Sequence, residues 1–312
     1  MKKLTALLMT LLLFFSPALA CAETVVTSFY PIYLFALNLL EGIEGVEVAN
    51  MAEPGTGCLH DYQLQTGDMK LLARADAFLI NGAGMEGYLS GVFDAFPALP
   101  VVDASAGVTL LEDCSDHDHD DHDDHDDHDD HDEHDGHEHA FNAHIWLDAG
   151  HAVQMVNNLA EGLMNALPAR SEAIAANRDA YIARLTALDA ELEAALADVP
   201  RKDIITFHEA FPYFAEAYGL HVAAVINRDP DDALSPRQLA ELCKTVIALG
   251  APPLCTEPQY EDMAAKTIAR ETGALLCTLD PIVTGPATDV PLTLYEDVMR
   301  QNLAVLLNVL EE

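Results

Sequence analysis

The chain has 312 residues, half of them apolar, which suffices for two domains or one large one with a real core. Its formal net charge of −37, with only 15 Lys and Arg, excludes a nucleic-acid binder and a protein drawn to anionic membrane surfaces. Such a chain attracts cations.

Met1-Lys2-Lys3, the apolar run Leu4 to Phe15 and the small residues Ser16 to Ala20 read as an export signal over residues 1–20. The run is too short to span a bilayer, and no later segment has about 18 uninterrupted apolar residues. The mature protein is therefore expected outside the cytoplasm, periplasmic or on the cell surface, and not as a channel. Cys21 directly follows Ala18-Leu19-Ala20. A lipid anchor at Cys21 competes with simple cleavage there, and lipidation is the reading taken.

Thr24 to Phe29 reads as a strand, Pro31 to Leu40 as a helix with Pro in its first turn, and Val46 to Met51 as a second strand. Glu53-Pro54-Gly55-Thr56-Gly57 is a turn-rich loop. A helix over Thr66 to Ala73, the strand Ala77 to Asn81, a helix over Glu86 to Phe93 and the short run Val101 to Asp103 follow. The same alternation returns later. Strands at Asp203 to Thr206, Val222 to Ile226, Leu254 to Glu257 and Ala274 to Leu279 alternate with helices at Pro212 to Tyr218, Ser235 to Leu249 and Asp262 to Glu271. A last helix runs from Tyr295 to Leu310. Alternation of this kind predicts parallel sheets covered on both faces.

Between the halves, Pro168 to Asp198 is rich in Ala, Leu, Glu and Arg. Ile174, Tyr181, Leu185, Leu188 and Leu192 recur there at helical spacing. This predicts a rod of about 45 Å. The expected fold is α/β: two parallel-sheet lobes joined by one long rigid helix. The N-terminal lobe is placed at 21–150, a linking helical segment at 151–199 and the C-terminal lobe at 200–312.

Asp116 to His139 is almost wholly Asp, Glu and His, with nine histidines falling mainly every third residue. That period fits neither helix nor strand, and the block repels itself, so a mobile His/Asp-rich loop is expected over 114–140. Its imidazoles and carboxylates suit divalent transition metals. Ordering a flexible loop is costly, so storage or capture fits it better than one tight site.

Only His60, His144, His151, His208 and His221 lie elsewhere. His60 follows the Gly-rich turn, His208 follows the strand Ile204 to Phe207, and His144 sits in Asn142-Ala143-His144-Ile145-Trp146-Leu147-Asp148. Asp280 also ends a strand. Strand carboxyl ends line the crevice of open α/β sheets, and three imidazoles with one carboxylate complete a tetrahedral zinc site. His151 reads as opening a helix and His221 as starting a strand, both structural or exposed. Trp146 reads as packing beneath the site.

Thr27-Ser28-Phe29-Tyr30-Pro31, His60-Asp61-Tyr62, Asn81-Gly82-Ala83-Gly84-Met85-Glu86, His144-Ile145-Trp146-Leu147, Phe207-His208-Glu209-Ala210-Phe211, Tyr213-Phe214 and Leu279-Asp280-Pro281 together resemble the metal-binding proteins of bacterial ABC importers for zinc and manganese, the ZnuA-like group of cluster A-I. The resemblance spans nearly the whole mature chain in the family's order. It implies metal ligands at His60, His144, His208 and Asp280 in the interlobe cleft. It also implies Zn²⁺ as the cargo, and an ABC permease with its cytoplasmic ATPase as partners of a monomer. His208 stands where manganese-type members place a glutamate, and nitrogen donors favour zinc. Leu59 occupies the position at which some zinc-type members carry an acidic ligand. The fourth ligand is then Asp280, Glu209 or water, with Glu209 read rather as a surface or supporting carboxylate.

The expected function is capture of Zn²⁺ outside the cytoplasm and delivery to an ABC importer. Alternatives are a manganese or iron importer component and a surface adhesin on the same fold. A zinc hydrolase is disfavoured, because H-E-x-x-H is absent and four protein ligands would close the metal. Of the five cysteines beyond Cys21, the candidate disulfides are Cys58–Cys114 and Cys255–Cys277, with connectivity left open.

Overall fold

The computed structural model describes residues 22–56, 62–112, 141–226, 235–259 and 263–311. The export signal with Cys21, the residues Cys58, Leu59, His60 and Asp61, and the acidic-histidine block all lie outside the described residues.

Two sheets form where the apolar runs predict strands. β1 (Glu23–Thr27), β2 (Val46–Asn50), β3 (Ala77–Ile80) and β4 (Val101–Asp103) pair in the order β2-β1-β3-β4. β5 (Asp203–Thr206), β6 (His221–Val225), β7 (Leu254–Thr256) and β8 (Leu276–Thr278) pair as β6-β5-β7-β8. Every pairing is parallel. Such strands lie between covering layers and must be apolar on both faces, and all four residues of β3 are buried. The strand order reverses between the first and third strand of each sheet. In open α/β sheets, ligands enter at that point.

The N-terminal sheet carries α1 (Tyr30–Leu39), α2 (Thr66–Leu72) and α3 (Leu89–Ala95). The C-terminal sheet carries α6 (Pro212–Ala217), α7 (Pro236–Ala248), α8 (Met263–Thr272) and α9 (Leu294–Leu310). Ser235 and Gln238 form a reciprocal capping box that starts α7.

Two helices run between the sheets. α4 (Ala149–Ala166) leads through a 3-10 turn at Pro168–Arg170 into α5 (Ser171–Leu196). The five periodic residues Ile174, Tyr181, Leu185, Leu188 and Leu192 are all buried. At 26 residues α5 spans about 39 Å. It is shorter than the expected rod, because Pro168 initiates a separate turn. It packs along α4 and touches α1 and α9. One core contains Phe35, Trp146, Tyr181, Phe214 and Tyr295, drawn from both lobes and the helix between them. A close-packed shared core of this kind resists relative motion.

Two helix starts differ from the sequence expectation. The helix expected from Glu86 begins at Leu89, because the Glu86 carboxylate is engaged with the backbone of Asn81 and Gly82. The helix expected to open at His151 begins at Ala149. Asp148 supplies the N-cap oxygen, accepting from the backbone N–H groups of Gly150 and His151 at 2.7 and 3.2 Å. Among the described residues no helix is long and apolar enough to cross a membrane.

Candidate metal-binding site

His144 lies in a loop whose every polar residue is used. Asn142 turns the chain by accepting the His144 backbone N–H at 3.0 Å through its own Oδ1, an Asx turn. Ile145, Trp146 and Leu147 then bury completely in one 3-10 turn, and Asp148 starts α4. His144 itself is fully buried. Its Nδ1 faces Asn142 Oδ1 at 3.2 Å.

The loop after β3 supports this segment from below. Gly82, Ala83 and Gly84 all have positive φ, between 52° and 83°. The turn is held by the buried Glu86 carboxylate, which accepts from Asn81 N at 2.7 Å and Gly82 N at 3.0 Å. Burial pushes the Glu86 carboxyl up to about 7. The fixed turn leaves Asn81 Nδ2 to donate to the carbonyl of Ala143 at 2.9 Å, one residue before His144.

His208 follows β5 at the reversal point of the C-terminal sheet. Its Nε2 lies 3.2 Å from His144 Nε2, with the ring planes at 80° and centroids 4.9 Å apart. Two zinc-bound nitrogens at about 2.0–2.1 Å from a tetrahedral ion stand about 3.3 Å apart. The pair thus has the spacing of one edge of a zinc coordination shell.

Asp280 follows β8, and β7 lies between β5 and β8. The strand ends that carry His208 and Asp280 are therefore two strand spacings apart, roughly 10 Å. Asn302 of α9 clamps the Asp280 backbone, accepting its N–H and donating to its carbonyl, both at 2.8 Å. Asp280 Oδ1 accepts the N–H of Ile282 at 2.7 Å, and burial raises its carboxyl above the usual range. Ile282 sits at φ 64°, a conformation that a β-branched residue avoids. Trp146 ties the two sides together. Its Nε1 donates to the Pro281 carbonyl at 2.8 Å, and its ring lies 5.1 Å from that of His144.

The structure thus brings His144 and His208 together and sets Asp280 on the same C-terminal rim, while His60 lies outside the described residues. Among the described residues no group of three His, Cys, Asp or Glu side chains gathers closely enough to hold a metal. His151 faces its helix cap Asp148 at 3.2 Å, and exposed His221 faces Asp203 at 2.8 Å. Glu209 meets the N-terminal segment through its backbone carbonyl, which accepts from Asn142 Nδ2 at 2.7 Å.

Two residues went unnoticed in the sequence. Asn142 is 4% exposed and touches both histidine loops. Its only signal was its place two residues before a candidate ligand histidine. Glu257, just past β7, is also 4% exposed, and burial pushes its carboxyl up to about 8. Gln259 donates to its Oε2, and Asp280 is close enough to raise it further. It ends a strand as Asp280 does, which was the available clue.

Two parallel-sheet lobes joined by a long helix, with one imidazole of a facing pair from each, define the architecture of a solute-binding protein. The chain belongs to the ZnuA family, zinc-uptake complex component A, periplasmic, whose pattern matches residues 25–309. It is 33% identical over 320 residues to the zinc-binding protein AdcA of Streptococcus pyogenes serotype M3, covering 98% of this chain and 61% of the relative. It therefore spans about three-fifths of the length of that relative. It is 31% identical over 289 residues to the high-affinity zinc uptake system protein ZnuA of Bacillus subtilis, covering 90% of this chain and 86% of the relative. Its structure matches the Zn(II)-bound ZnuA-like domain of Streptococcus pneumoniae AdcA with a TM-score of 0.75 at 25% identity, covering 93% and 99% of the two chains.

Proposed function

We propose that this protein captures Zn²⁺ outside the cytoplasm and delivers it to an ABC-type importer, a permease with its cytoplasmic ATPase. It is a binding protein and not an enzyme, works as a monomer and is anchored by a lipid on Cys21. His60, His144, His208 and Asp280 hold the ion. The observation that carries this reading is the 3.2 Å approach of His144 Nε2 to His208 Nε2 across the lobes. Two nitrogen donors at tetrahedral spacing suit zinc better than manganese, which prefers oxygen. The zinc-binding and zinc-uptake names of the relatives agree with it. The nine-histidine block is an accessory that gathers metal.

The test is zinc titration of metal-free protein against a competing chelator, beside a sample lacking the acidic-histidine block. One tight equivalent should persist without the block. His208→Ala should weaken it by more than the ~10–100-fold typical of losing a supporting residue. Equal affinity in the variant would sink the ligand assignment. Tighter binding of manganese than zinc would transfer the function to the manganese reading.

A further inference from the structure

We propose that Asn142 is a positioning residue for metal capture. It locks His144 in the tautomer that carries its proton on Nδ1, and it ties that imidazole to the loop of His208. The inference rests on the zinc-capture reading and names what makes one of its ligands competent.

The orientation of the Asn142 amide is fixed from both ends. Nδ2 lies 2.7 Å from the carbonyl oxygen of Glu209, which can only accept. Oδ1 lies 3.0 Å from the backbone N–H of His144, which can only donate. Exchanging the amide oxygen and nitrogen would set donor against donor at one end and acceptor against acceptor at the other. Both contacts would then be lost in a place where water cannot replace them, since Asn142 is 4% exposed.

With Oδ1 settled, the imidazole follows. Oδ1 cannot donate, so its 3.2 Å contact with His144 Nδ1 requires the ring proton on Nδ1. The lone pair then belongs to Nε2, the atom that faces His208 Nε2 at 3.2 Å. A histidine binds metal through its unprotonated nitrogen, and the hydrogen bond on the other nitrogen decides which one that is.

An Asx turn alone needs only the contact to the His144 backbone N–H. The further contacts of Asn142 reach residues far along the chain. Its N–H donates to the Leu111 carbonyl at 2.9 Å, and its carbonyl accepts from Tyr213 Oη at 2.8 Å. The same Tyr213 Oη accepts from Leu111 N at 2.9 Å. Asn142 is therefore gripped by Glu209 and Tyr213 from the C-terminal half while it holds His144 of the N-terminal half. A shift of either histidine loop pulls on the other through this one side chain.

The experiment uses the full chain. Nitrogen-15 spectra of the metal-free wild type, with the His144 signal assigned by its loss in His144→Gln, should show Nδ1–H and an unprotonated Nε2. An Nε2–H tautomer overturns the proposal whatever any variant does. Chelator competition then reads the first zinc equivalent in Asn142→Leu and Asn142→Asp. The Leu variant should bind about 10–100-fold more weakly. The Asp variant keeps the acceptor for His144 but turns an oxygen toward the Glu209 carbonyl, so it should recover part of the loss and fall between the Leu variant and wild type. Unchanged affinity in the Leu variant, or equal weakening in both, overturns the proposal by reducing Asn142 to a structural turn. A wild type with the expected tautomer but no tight zinc would instead defeat the zinc reading.

Discussion

Arg184 of α5 sets its Nε 3.2 Å from Oε1 of Glu296 in α9, a residue 3% exposed. The same guanidinium donates to Asn38 of α1 and lies 4.8 Å over the ring of Tyr181. The linking helix is thus fastened at one residue to a helix of each lobe.

Arg184→Leu should cost stability by leaving the Glu296 carboxylate buried without its counter-charge. A fully buried pair loses about 3–5 kcal/mol in this way. Arg184 is 39% exposed, so water screens the loss to about 2 kcal/mol. Burial raises the Glu296 carboxyl and Arg184 pulls it back. Without Arg184 it rises further. A carboxyl raised in the folded state loses stability as pH climbs through its folded value. Urea unfolding should show a larger deficit at pH 8 than at pH 5, and equal deficits would contradict the pairing.

Glu257 gives a second pH signature. Its carboxyl is pushed up to about 8, so its contribution is whole below the ordinary carboxylate range and fades as pH rises from about 5 to 8. Glu257→Gln keeps the acceptor for Gln259 and removes the ionisation. The variant should gain on wild type as pH rises, by at most about 5 kcal/mol at pH 8. Parallel stability profiles of the two metal-free proteins would refute this.

Gly82→Ala tests the turn beneath His144. Gly82 has φ +78°, and a Cβ there would lie 1.9 Å from Asp103 Oδ1 and 2.4 Å from Ser105 Oγ. The strained backbone and the clash should together cost more than about 2 kcal/mol. Scanning calorimetry should read this as a fall of about 5 °C. A fall below about 1 °C would mean that the turn relaxes freely.

Cys255 and Cys277 are direct register partners on β7 and β8, with Sγ atoms 3.1 Å apart. Both are buried. A disulfide exchange partner that takes up two electrons should join them during folding in an oxidising compartment, with release of both thiol protons. Peptide mapping without reductant should recover the linked pair, whose closure of a loop of about 22 residues is worth about 3 kcal/mol. Recovery of both as alkylated thiols from exported protein would exclude the bond. In this structure Cys243, Cys255 and Cys277 are all free thiols, so the bond expected between Cys255 and Cys277 is not formed in it.

Much of the fold was legible because its signals are local. Five residues of α5 at helical spacing reported a buried stripe, and the apolar runs between turn residues reported strands. The strand-end position of His208 pointed to a crevice, whereas His144 sits in a loop ahead of a 3-10 turn and not at the end of a strand. Helix starts were less legible at Leu89 and Ala149. There a carboxylate, Glu86 or Asp148, bonds backbone N–H groups and decides where the helix begins. Spacing shows that a carboxylate is present but not which N–H it takes.

By itself the sequence determined the α/β class, the helix between the lobes, the family and the histidines to watch. These follow from periodicity, composition and motifs, which act within a few residues or along the chain in order. Only the tertiary structure decided that His144 and His208 meet nitrogen to nitrogen across 64 positions, and that Asn142 reaches Glu209 across 67. It also decided that Glu257 is buried beside Asp280 and that Arg184 fastens two lobes. Each of these depends on which surfaces fold against each other, and so on directions and distances that spacing along the chain does not carry.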